Sequence, residues 1–556
     1  MYFKALTNRS ERSPGDIFFE FHSNVAREAI SYLEMRQKIA ASAAFFCAQG
    51  VAPGDVVLIF AQHGPGLLLS LLGAQWLGAV PALMPPPTSK QNLDAWIEAH
   101  GALIARLRPA LVVASPECLD QVRALDDGAI VSTQAVERAP SVDDLTRPVE
   151  LDDLDRIAFL QHSSGTTGLK KGVAVTYRQL FAQLDGYAER LGLDPETARV
   201  VSWLPLYHDM GLVAATLLPF YFALPVTVIE TFAWLSDPGR FMTLLSGACD
   251  VYCWLPNFAF RHLARRVTLE AGSLDLSGVR GVINCSEPCK ASDMQAFATR
   301  FADDGLAPSA LRTCYAMAEY VFAVTQTARD EKPRILDVDA DALERDQVAS
   351  PTNGGSGRSR ALVSVGRALK SVELRIGDGL TDGQVGEIAL RGPSLCSGYY
   401  RNPALTATRF IDGWYLTGDL GFIDGSELFI TGRGEDLIIV RGKNLYAHDI
   451  EAVIGDTPGV KPGRCVAFGV EDALAGTQIL VLVAEIEDPA RAAEVRREIN
   501  GRVLDAAGVA PSAIVTTALD TLIKTTSGKI SRRANRERYQ RDGFRPPRPG
   551  PENALP

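Results

Sequence analysis

Residues 163–171 combine hydroxyl side chains, glycines and lysine in a pattern that suits phosphate binding. The run consists of Ser163, Ser164, Gly165, Thr166, Thr167 and Gly168, followed by Leu169, Lys170 and Lys171. Backbone N–H and side-chain O–H donors of such a loop can approach phosphate oxygens, and a lysine adds positive charge. The run is not a Walker loop, because no Gly-Lys-Ser/Thr follows the required four-residue spacer. Taken alone, it predicts either a phosphate-binding loop or a flexible surface turn.

Four further segments follow this loop in a fixed order and change its interpretation. They are Trp-Leu-Pro-Leu-Tyr-His-Asp-Met-Gly at 203–211, Tyr-Ala-Met-Ala-Glu at 315–319, Tyr-Leu-Thr-Gly-Asp at 415–419 and Lys-Thr-Thr-Ser-Gly-Lys at 524–529. Together with the loop, they resemble the adenylate-forming enzymes, which include acyl-CoA synthetases, nonribosomal adenylation domains and fatty acyl-AMP ligases. The resemblance extends over nearly the whole chain, from about residue 30 to 540.

This resemblance implies attack of a carboxylate on the α-phosphate of ATP, with Mg²⁺ as the metal cofactor. Both reactants are anions, so catalysis needs charge neutralisation and alignment more than a strong base. Lys529 matches the family's catalytic lysine, and His208 matches the residue beside the reacting carboxylate. Glu319 and Thr166 match the magnesium site, since Mg²⁺ prefers oxygen ligands. The alternatives are a solvated surface lysine at 529 and a glutamate at 319 that only stabilises a helix start.

The remaining site residues follow from the same comparison of motifs. The hydroxyl and glycine run with Lys171 would bind the ATP phosphates. The residues matched to the adenosine site are Ser286, Glu287, Pro288, Tyr315, Ala316, Met317, Asp419 and Arg433. Tyr315 would pack on adenine, while Asp419 and Arg433 would reach the ribose hydroxyls. Two departures occur, because Ala316 replaces the family's glycine and Lys170 its proline, but neither removes a reactive group.

Composition indicates a large globular enzyme. The chain has 556 residues, 47% of them hydrophobic and 22% charged, and a net charge of −10 that gives no support to nucleic-acid binding. Residues 210–229 are mostly apolar, but Pro219 and Pro225 interrupt them, so a buried helix, a bend and a core strand are predicted in place of a membrane span. Nine scattered cysteines and no visible signal peptide predict a cytoplasmic location.

The order of predicted elements indicates an α/β fold with a large N-terminal domain and a small C-terminal one. Strand, helix and strand signals at 56–60, 65–77 and 80–84 form a βαβ unit, which implies a parallel sheet flanked by helices. The expected N-terminal adenylation domain covers 1–432 and has mixed sheets. It includes an insertion at about 330–362 and a β-rich subdomain at about 362–432. A hinge at 433–435, a mobile α/β domain at 436–543 and a disordered tail at 544–556 follow. Glu435 matches the family's hinge residue.

Three stretches place the chain nearest to fatty acyl-AMP ligases within this family. They are residues 203–212, 436–446 and 80–87. In addition, 46 residues separate Glu319 from Gly366, where acyl-CoA synthetases have a shorter connection. In the ligase branch such an insertion restrains the C-terminal domain and discourages use of coenzyme A. The alternative is a passive loop.

The predicted function is ATP-dependent activation of a carboxylic acid, fatty or similarly apolar, to an acyl adenylate with release of pyrophosphate. The acyl group would then pass to the phosphopantetheine thiol of an acyl carrier protein or polyketide-synthase module. One alternative is an acyl-CoA synthetase that uses free coenzyme A, and another is an inactive nucleotide-binding regulator. A basic stretch is either a docking surface for an acidic carrier or a solvated helix face; it consists of Lys529, Arg532, Arg533, Arg536, Arg538 and Arg541.

Overall fold

The fold is that of a large mixed α/β enzyme, as the element order predicts. The computed structural model describes residues 2–87, 93–125, 128–140, 148, 152–163, 171–352, 358–472, 476–524 and 529–544. Three sheets of five or more strands form its layers: a nine-stranded sheet, a six-stranded sheet and a five-stranded sheet. Helices flank the first two sheets, and one large cluster of buried apolar side chains joins both.

The first part of the chain alternates strands and helices. Its elements are α1 Lys4–Arg12, β1 Ile17–His22, β2 Arg27–Ser31, α2 Tyr32–Ala48, β3 Val56–Phe60, α3 Pro65–Leu77, β4 Val80–Met84, α4 Leu93–Leu107, β5 Leu111–Ala114, α5 Leu119–Arg123, β6 Ile130–Ser132 and α6 Thr133–Glu137. Strands β3 and β4 pair in parallel on either side of α3, which confirms the predicted βαβ unit. Pro65 begins α3 and Gly78 ends it in the left-handed conformation, as is common at helix ends.

The second part completes the two largest sheets. Its elements are β7 Ile157–Ser163, β8 Lys171–Thr176, α7 Tyr177–Leu191, β9 Arg199–Ser202, a π-helix at Met210–Leu217, α8 Leu218–Phe222, β10 Val226–Ile229, α9 Thr231–Ser236, α10 Pro238–Leu245, β11 Val251–Leu255, α11 Asn257–Arg266, β12 Val279–Asn284, α12 Ala291–Arg300, β13 Leu311–Ala316 and β14 Ala323–Gln326. The six-stranded sheet has the order β6-β5-β3-β4-β7-β8. In the nine-stranded sheet, the strands β13-β12-β11-β9-β10-β1 are adjacent in this order, and each of them is parallel to the next.

The insertion and the β-rich region follow. Their elements are β15 Ile335–Asp339, α13 Ala340–Arg345, β16 Ser359–Val363, β17 Arg367–Ala368, β18 Glu373–Ile376, β19 Gly386–Arg391, α14 Pro403–Arg409, β20 Phe410–Ile411, β21 Trp414–Asp424 and β22 Glu427–Arg433. Strand β17 adds to the edge of the nine-stranded sheet, while β18 to β22 form the antiparallel five-stranded sheet. Strands β15 and β16 pair along their whole length around α13, so much of the insertion is folded.

The last part has its own sheet and its own clusters of buried side chains. Its elements are β23 Leu437–Val440, β24 Lys443–Tyr446, α15 Ala447–Gly455, β25 Val460–Asp472, β26 Thr477–Ile486, α16 Ala492–Ala507, β27 Ala513–Thr517 and α17 Arg532–Asp542. Two apolar clusters consist entirely of residues from this part. Phe544, which the sequence places in the tail, is buried in the second cluster, and 545–556 lie outside the described residues. The hinge at 433–435 stays a prediction.

The apolar stretch 210–229 folds as expected, with one unexpected feature. It comprises the π-helix, α8, a bend at Ala223 in the left-handed conformation and the core strand β10. The sequence predicts a buried helix in this stretch, whereas the helix at Met210–Leu217 has the wider i to i+5 turns of a π-helix. Across the described ranges, no helix has both the length and the apolar character needed to span a membrane.

Candidate active site

Three of the motifs identified in the sequence converge at one edge of the nine-stranded sheet. Strand β9 ends at Ser202 and leads into 203–211, β12 ends at Asn284 before the 285–288 turn, and β13 ends at Ala316 before Glu319. These strands belong to a parallel set, so their carboxyl ends share one edge. That edge is where open α/β sheets bind ligands. The topology therefore brings together residues separated by more than 100 positions in sequence.

Glu319 lies within a group of tyrosines at this edge. It sits in a single 3₁₀ turn, Ala318–Tyr320, and its Oε1 accepts a hydrogen bond of 3.0 Å from the Tyr399 hydroxyl. Tyr399 in turn lies 3.3 Å, oxygen to oxygen, from the Tyr415 hydroxyl. Burial and then the nearby Glu319 carboxylate raise the pKa of both tyrosines, which keeps them neutral donors. Sequence reasoning missed Tyr399, since no quoted motif contains it.

Lys171 points toward the same carboxylate. Its Nζ lies 5.6 Å from the centroid of the Tyr399 ring, and its side chain is half-buried. Burial lowers the pKa of Lys171, while the charge of Glu319 acts in the opposite direction. A partly desolvated cation next to a carboxylate suits a site that must neutralise phosphate charge. The phosphate-binding role of Lys171 stays a prediction.

The predicted phosphate loop connects two strands of the six-stranded sheet. Strand β7 ends at Ser163, which is paired with Lys171 at the start of β8, and the two strands are antiparallel. The predicted strand at 157–160 is confirmed and extends to Ser163. Ser164, Gly165, Thr166, Thr167, Gly168 and Lys170 lie outside the described residues.

The backbone is unusual at two points that border the site. Val321, two residues after Glu319, has a φ of 63°, and Ser286, between Cys285 and Glu287, has a φ of 70°. A left-handed conformation is rare for a β-branched residue and costs about 1–3 kcal/mol. Such outliers cluster where geometry serves a ligand site. Ser286 belongs to the turn that the sequence assigns to adenosine, and Val321 lies just beyond the 315–319 motif.

Tyr315, Asp419 and Arg433 form a connected group, as their shared assignment to adenosine predicts. The Tyr315 hydroxyl donates to Asp419 Oδ2 at 2.6 Å, and Arg433 Nε lies 3.1 Å from Asp419 Oδ1. Burial raises the pKa of Asp419, and the charge of Arg433 opposes that rise. The Arg433 side chain is 57% exposed, so it can bind a ligand while it holds the carboxylate.

The other residues assigned to adenosine lie near this group but differ in exposure. Ser286 and Pro288 are exposed, while Ala316 and Met317 are half-buried after β13. Glu287 is engaged elsewhere, because its Oε2 accepts the Phe258 backbone N–H at 3.0 Å. The Glu287 side chain thus binds the first turn of α11.

His208 and Asp209 precede the π-helix, and a close backbone approach shapes this turn. A Cβ at Gly211 would lie 2.2 Å from the Pro205 carbonyl oxygen, so only glycine fits. The Asp209 side chain accepts the Met210 N–H at 2.8 Å, and the His208 carbonyl accepts the Leu212 N–H at 2.8 Å. Single π-turns occur often at functional sites. His208 lies in the turn between the carboxyl end of β9 and the π-helix, and its position beside the substrate stays a prediction.

Lys529, from the far end of the chain, lies within electrostatic range of this turn. Burial raises the pKa of Asp209 to about 6, while the charge of Lys529 lowers it and that of Glu319 raises it. Both charged groups therefore lie within electrostatic range of Asp209. Lys529 is itself exposed. Asp209 was not among the predicted site residues, although it stands next to His208.

Glu435 lies two positions after Arg433, which belongs to the group assigned to the ribose. Its Oε1 lies 3.9 Å from Arg433 Nη1, and it occupies the 3₁₀ turn Gly434–Asp436 between β22 and β23. The predicted hinge residue is therefore linked electrostatically to the predicted nucleotide site.

The residues present fit a magnesium ion bound together with ATP. Within the described ranges, no group of three His, Cys, Asp or Glu side chains is arranged to hold a metal. Mg²⁺ is commonly held by one or two carboxylates together with substrate phosphates, so a single carboxylate at Glu319 suffices. Its Oε1 is oriented by the Tyr399 hydroxyl, as expected for a ligating carboxylate. The other predicted ligand, Thr166, lies outside the described residues.

Comparison with known proteins identifies the family of this chain. The AMP-binding enzyme family matches residues 6–400. A long-chain-fatty-acid–AMP ligase, FadD26 of Mycobacterium marinum, is 30% identical over 97% of each chain. A 4-hydroxyphenylalkanoate adenylyltransferase of the same species is 32% identical over 89% of this chain and 83% of its own.

Solved structures give the same result. A structure from a study of fatty acyl-adenylate ligases of E. coli and L. pneumophila has a TM-score of 0.86, with 28% identity over 97% of both chains. A fatty acyl-adenylate ligase from L. pneumophila, in complex with acyl adenylate and pyrophosphate, has a TM-score of 0.72, with 26% identity over 97% of this chain and 96% of its own. The chain belongs to the AMP-binding, adenylate-forming enzymes. It is an acid–AMP ligase, and its resemblance to fatty acyl-AMP ligases is confirmed.

Proposed function

We propose that the protein activates a fatty or similarly apolar carboxylic acid with ATP and Mg²⁺, and transfers the acyl group to a carrier-protein thiol. The observation that carries the first step is the electrostatic proximity of Lys529 to Asp209, at an edge that also holds Glu319. Lys529, from the C-terminal part of the chain after residue 436, would act at the site built by the N-terminal part, because its charge lies within electrostatic range of Asp209. That arrangement suits a reaction in which two anions must meet.

In the first step, a carboxylate oxygen of the acid attacks the α-phosphorus of ATP. A new acyl–phosphate bond forms, the bond to the β-phosphate oxygen breaks, and pyrophosphate leaves. Lys529 would offset the negative charge of the acid and of the α-phosphate as they approach, and His208 would lie beside the carboxylate. No general base is required, because the attacking oxygen is already ionised.

The nucleotide would be held by groups around this reaction centre. Asp419 and Arg433 would bind the ribose hydroxyls, Tyr315 would pack against adenine, and Lys171 would bind the phosphates. Glu319, oriented by Tyr399, would hold Mg²⁺ together with Thr166. When bound, the ion neutralises phosphate charge and orients the pyrophosphate leaving group.

Contacts between the insertion and the C-terminal part support a carrier protein over free coenzyme A as acceptor. Arg358 donates from Nε to the Ala506 carbonyl at 2.9 Å and forms an ion pair of 2.6 Å with Glu344. Lys443 Nζ lies 3.7 Å from the same glutamate. Arg360 forms a 2.9 Å ion pair with Asp449.

These contacts bear on the second step, the transfer of the acyl group to a thiol. Transfer to coenzyme A would require the C-terminal part to move. The insertion supplies Arg358, Glu344 and Arg360, while the C-terminal part supplies Lys443, Asp449 and the Ala506 carbonyl. Several partly buried, charge-assisted contacts hold two elements together more firmly than isolated exposed pairs. We infer that the insertion restrains the C-terminal part, in preference to being a passive loop.

Pyrophosphate release in the presence of a panel of carboxylic acids tests the first step. The expected result is ATP- and Mg²⁺-dependent release with long-chain acids, and accumulation of the acyl adenylate detected by mass. Lys529→Ala should reduce the rate by about 10²–10³-fold while ATP binding changes little, because the lost charge acts in the transition state. Lys461→Ala, which removes an exposed cation paired with Glu487, is the control. An absence of pyrophosphate release with every acid would favour the inactive regulator.

A further inference from the structure

We propose that Asn535 is the positioning residue for Lys529, because its side-chain amide ties together the two ends of the segment that carries this lysine. The inference rests on the proposed role of Lys529 in adenylate formation. Asn535 itself lies in α17, six residues beyond Lys529, and touches neither the acid nor the nucleotide site through any described contact.

The Asn535 amide binds both sides of the segment. Its Oδ1 accepts the Ile523 N–H at 3.0 Å, and its Nδ2 donates to the Ile523 carbonyl at 2.9 Å and to the Ser531 carbonyl at 2.7 Å. Ile523 precedes the segment and Ser531 follows it. The Asn535 side chain therefore binds backbone groups of Ile523 and Ser531 that would otherwise form hydrogen bonds with water.

The backbone closes the segment at the same place. The Ser531 N–H donates to the Ile523 carbonyl at 3.0 Å, and Lys524 and Ile530 form an isolated antiparallel bridge. The Ser531 side chain also caps α17 by accepting the Ala534 N–H. Lys529 is one residue from this bridge, so the position of its Cα follows from the position of the bridge.

Asn535 has no exposed surface, and both hydrogens of its amide are used. A buried amide with satisfied donors is costly to remove, because truncation leaves the Ile523 N–H without its partner. It also removes one of the two hydrogen bonds that the Ile523 and Ser531 carbonyls each accept. The Leu522 N–H is anchored separately by the buried Glu485 Oε1 at 2.8 Å. Leu522 and Ile523 are thus held by Glu485 and Asn535, while Ser531 is held by the Asn535 amide and by its own N–H bond to the Ile523 carbonyl.

This geometry matters because Lys529 has a long side chain and is exposed. Proper alignment of two reacting anions by a cation depends on where that cation is held, and a misplacement of about 1 Å can cost 10²-fold in rate. The side chain of Lys529 can be placed only if the backbone that carries it is held in position. Asn535 holds that backbone through its hydrogen bonds to Ile523 and Ser531, from outside the site.

The test compares Asn535→Ala with Arg533→Ala in the full-length protein. Arg533 lies in the same helix and forms an exposed ion pair with Glu537, so its removal controls for general effects on α17. Pyrophosphate release with ATP and a long-chain acid should show a kcat lower by about 10–100-fold for Asn535→Ala, with little change in the KM for ATP. Arg533→Ala should match the wild type.

A double-mutant cycle separates positioning from general damage to the fold. If Asn535 acts through Lys529, Asn535→Ala should cause no further loss in a Lys529→Ala background. An equal fold loss in both backgrounds, or a wild-type kcat for Asn535→Ala, would overturn the proposal. Wild-type activity of Lys529→Ala alone would instead refute the proposed function and the inference with it. Should Asn535→Ala not fold, Asn535→Ser, which keeps one donor, is assayed in the same cycle.

Discussion

Asp419 and Arg433 occupy directly opposite positions in the antiparallel pair β21–β22, and their side chains form a 3.1 Å ion pair. The pairing explains how residues 14 positions apart act as one unit. It also makes the charge of Asp419 depend on Arg433, because burial alone would favour the protonated acid. A protonated Asp419 would lose acceptor capacity toward the ribose hydroxyls.

Arg433→Gln should therefore change the pH dependence of ATP binding. Removal of the guanidinium raises the pKa of Asp419, so affinity should begin to fall at a higher pH than in the wild type as the solution is acidified. Calorimetric titration of ATP from neutral to acidic pH measures the midpoint of this loss. Arg391→Gln, which breaks an exposed pair with Glu373, is the control. An unchanged midpoint in Arg433→Gln would mean that Arg433 does not control Asp419.

Asp209 leads to a prediction about stability. Between its ordinary pKa near 4 and the raised value of about 6, the unfolded chain has lost this proton while the folded protein still holds it. The contribution of Asp209 to stability therefore falls as pH rises through that window. Asp209→Asn keeps an oxygen acceptor for the Met210 N–H, and its melting temperature relative to the wild type should rise from about pH 4 to 6 and then level off.

Asp412→Asn provides the matched control for this measurement. Asp412 is exposed in a left-handed turn conformation that asparagine tolerates. The difference in melting temperature between this variant and the wild type should show no comparable change over the same window. A flat difference for Asp209→Asn as well would indicate that Asp209 is not buried with a raised pKa.

The sequence predicted much of the fold because its signals are local. Strand β3, helix α3 and strand β4 were predicted with their observed bounds, since each is a short apolar run delimited by glycine or proline. The π-helix at Met210–Leu217 was not predicted, and neither was the close approach of Gly211 within it to the Pro205 carbonyl. Periodicity contains no information about such a contact.

The candidate site shows the same division. Motif residues such as Glu319 and Asp419 could be named from sequence, but Tyr399, which orients Glu319, could not, because it lies 80 positions away.

Arg532 was named from the sequence, but its contacts could not be predicted. The sequence places it in a basic stretch that could dock a carrier, whereas the structure pairs it with Asp436 and Glu451, both at 2.5 Å. Its charge is thus largely used within the C-terminal part.

The glycine at 211 provides a third prediction. Gly211→Ala would place a Cβ 2.2 Å from the Pro205 carbonyl oxygen, so the backbone must shift, and overpacking of this kind costs about 1–3 kcal/mol. Gly501→Ala in α16 is the matched control, because the added Cβ would have no neighbouring atom within 4 Å. It should stabilise the protein by about 0.4–1 kcal/mol. Thermal unfolding should move in opposite directions for the two variants, and a shared direction would contradict the steric argument.

The last prediction concerns the choice of acceptor. Arg358→Ala combined with Arg360→Ala removes the contacts of the insertion with the Ala506 carbonyl and with Asp449, while no residue assigned to adenylation is changed. Adenylate formation should therefore stay near the wild-type rate, and acyl-CoA formation from coenzyme A should increase. Arg334→Ala is the control, because Arg334 lies in the same insertion but pairs with Asp424 of the β-rich region. Equal thioester yields for the double variant, the control and the wild type would mean that the insertion does not restrain the C-terminal part.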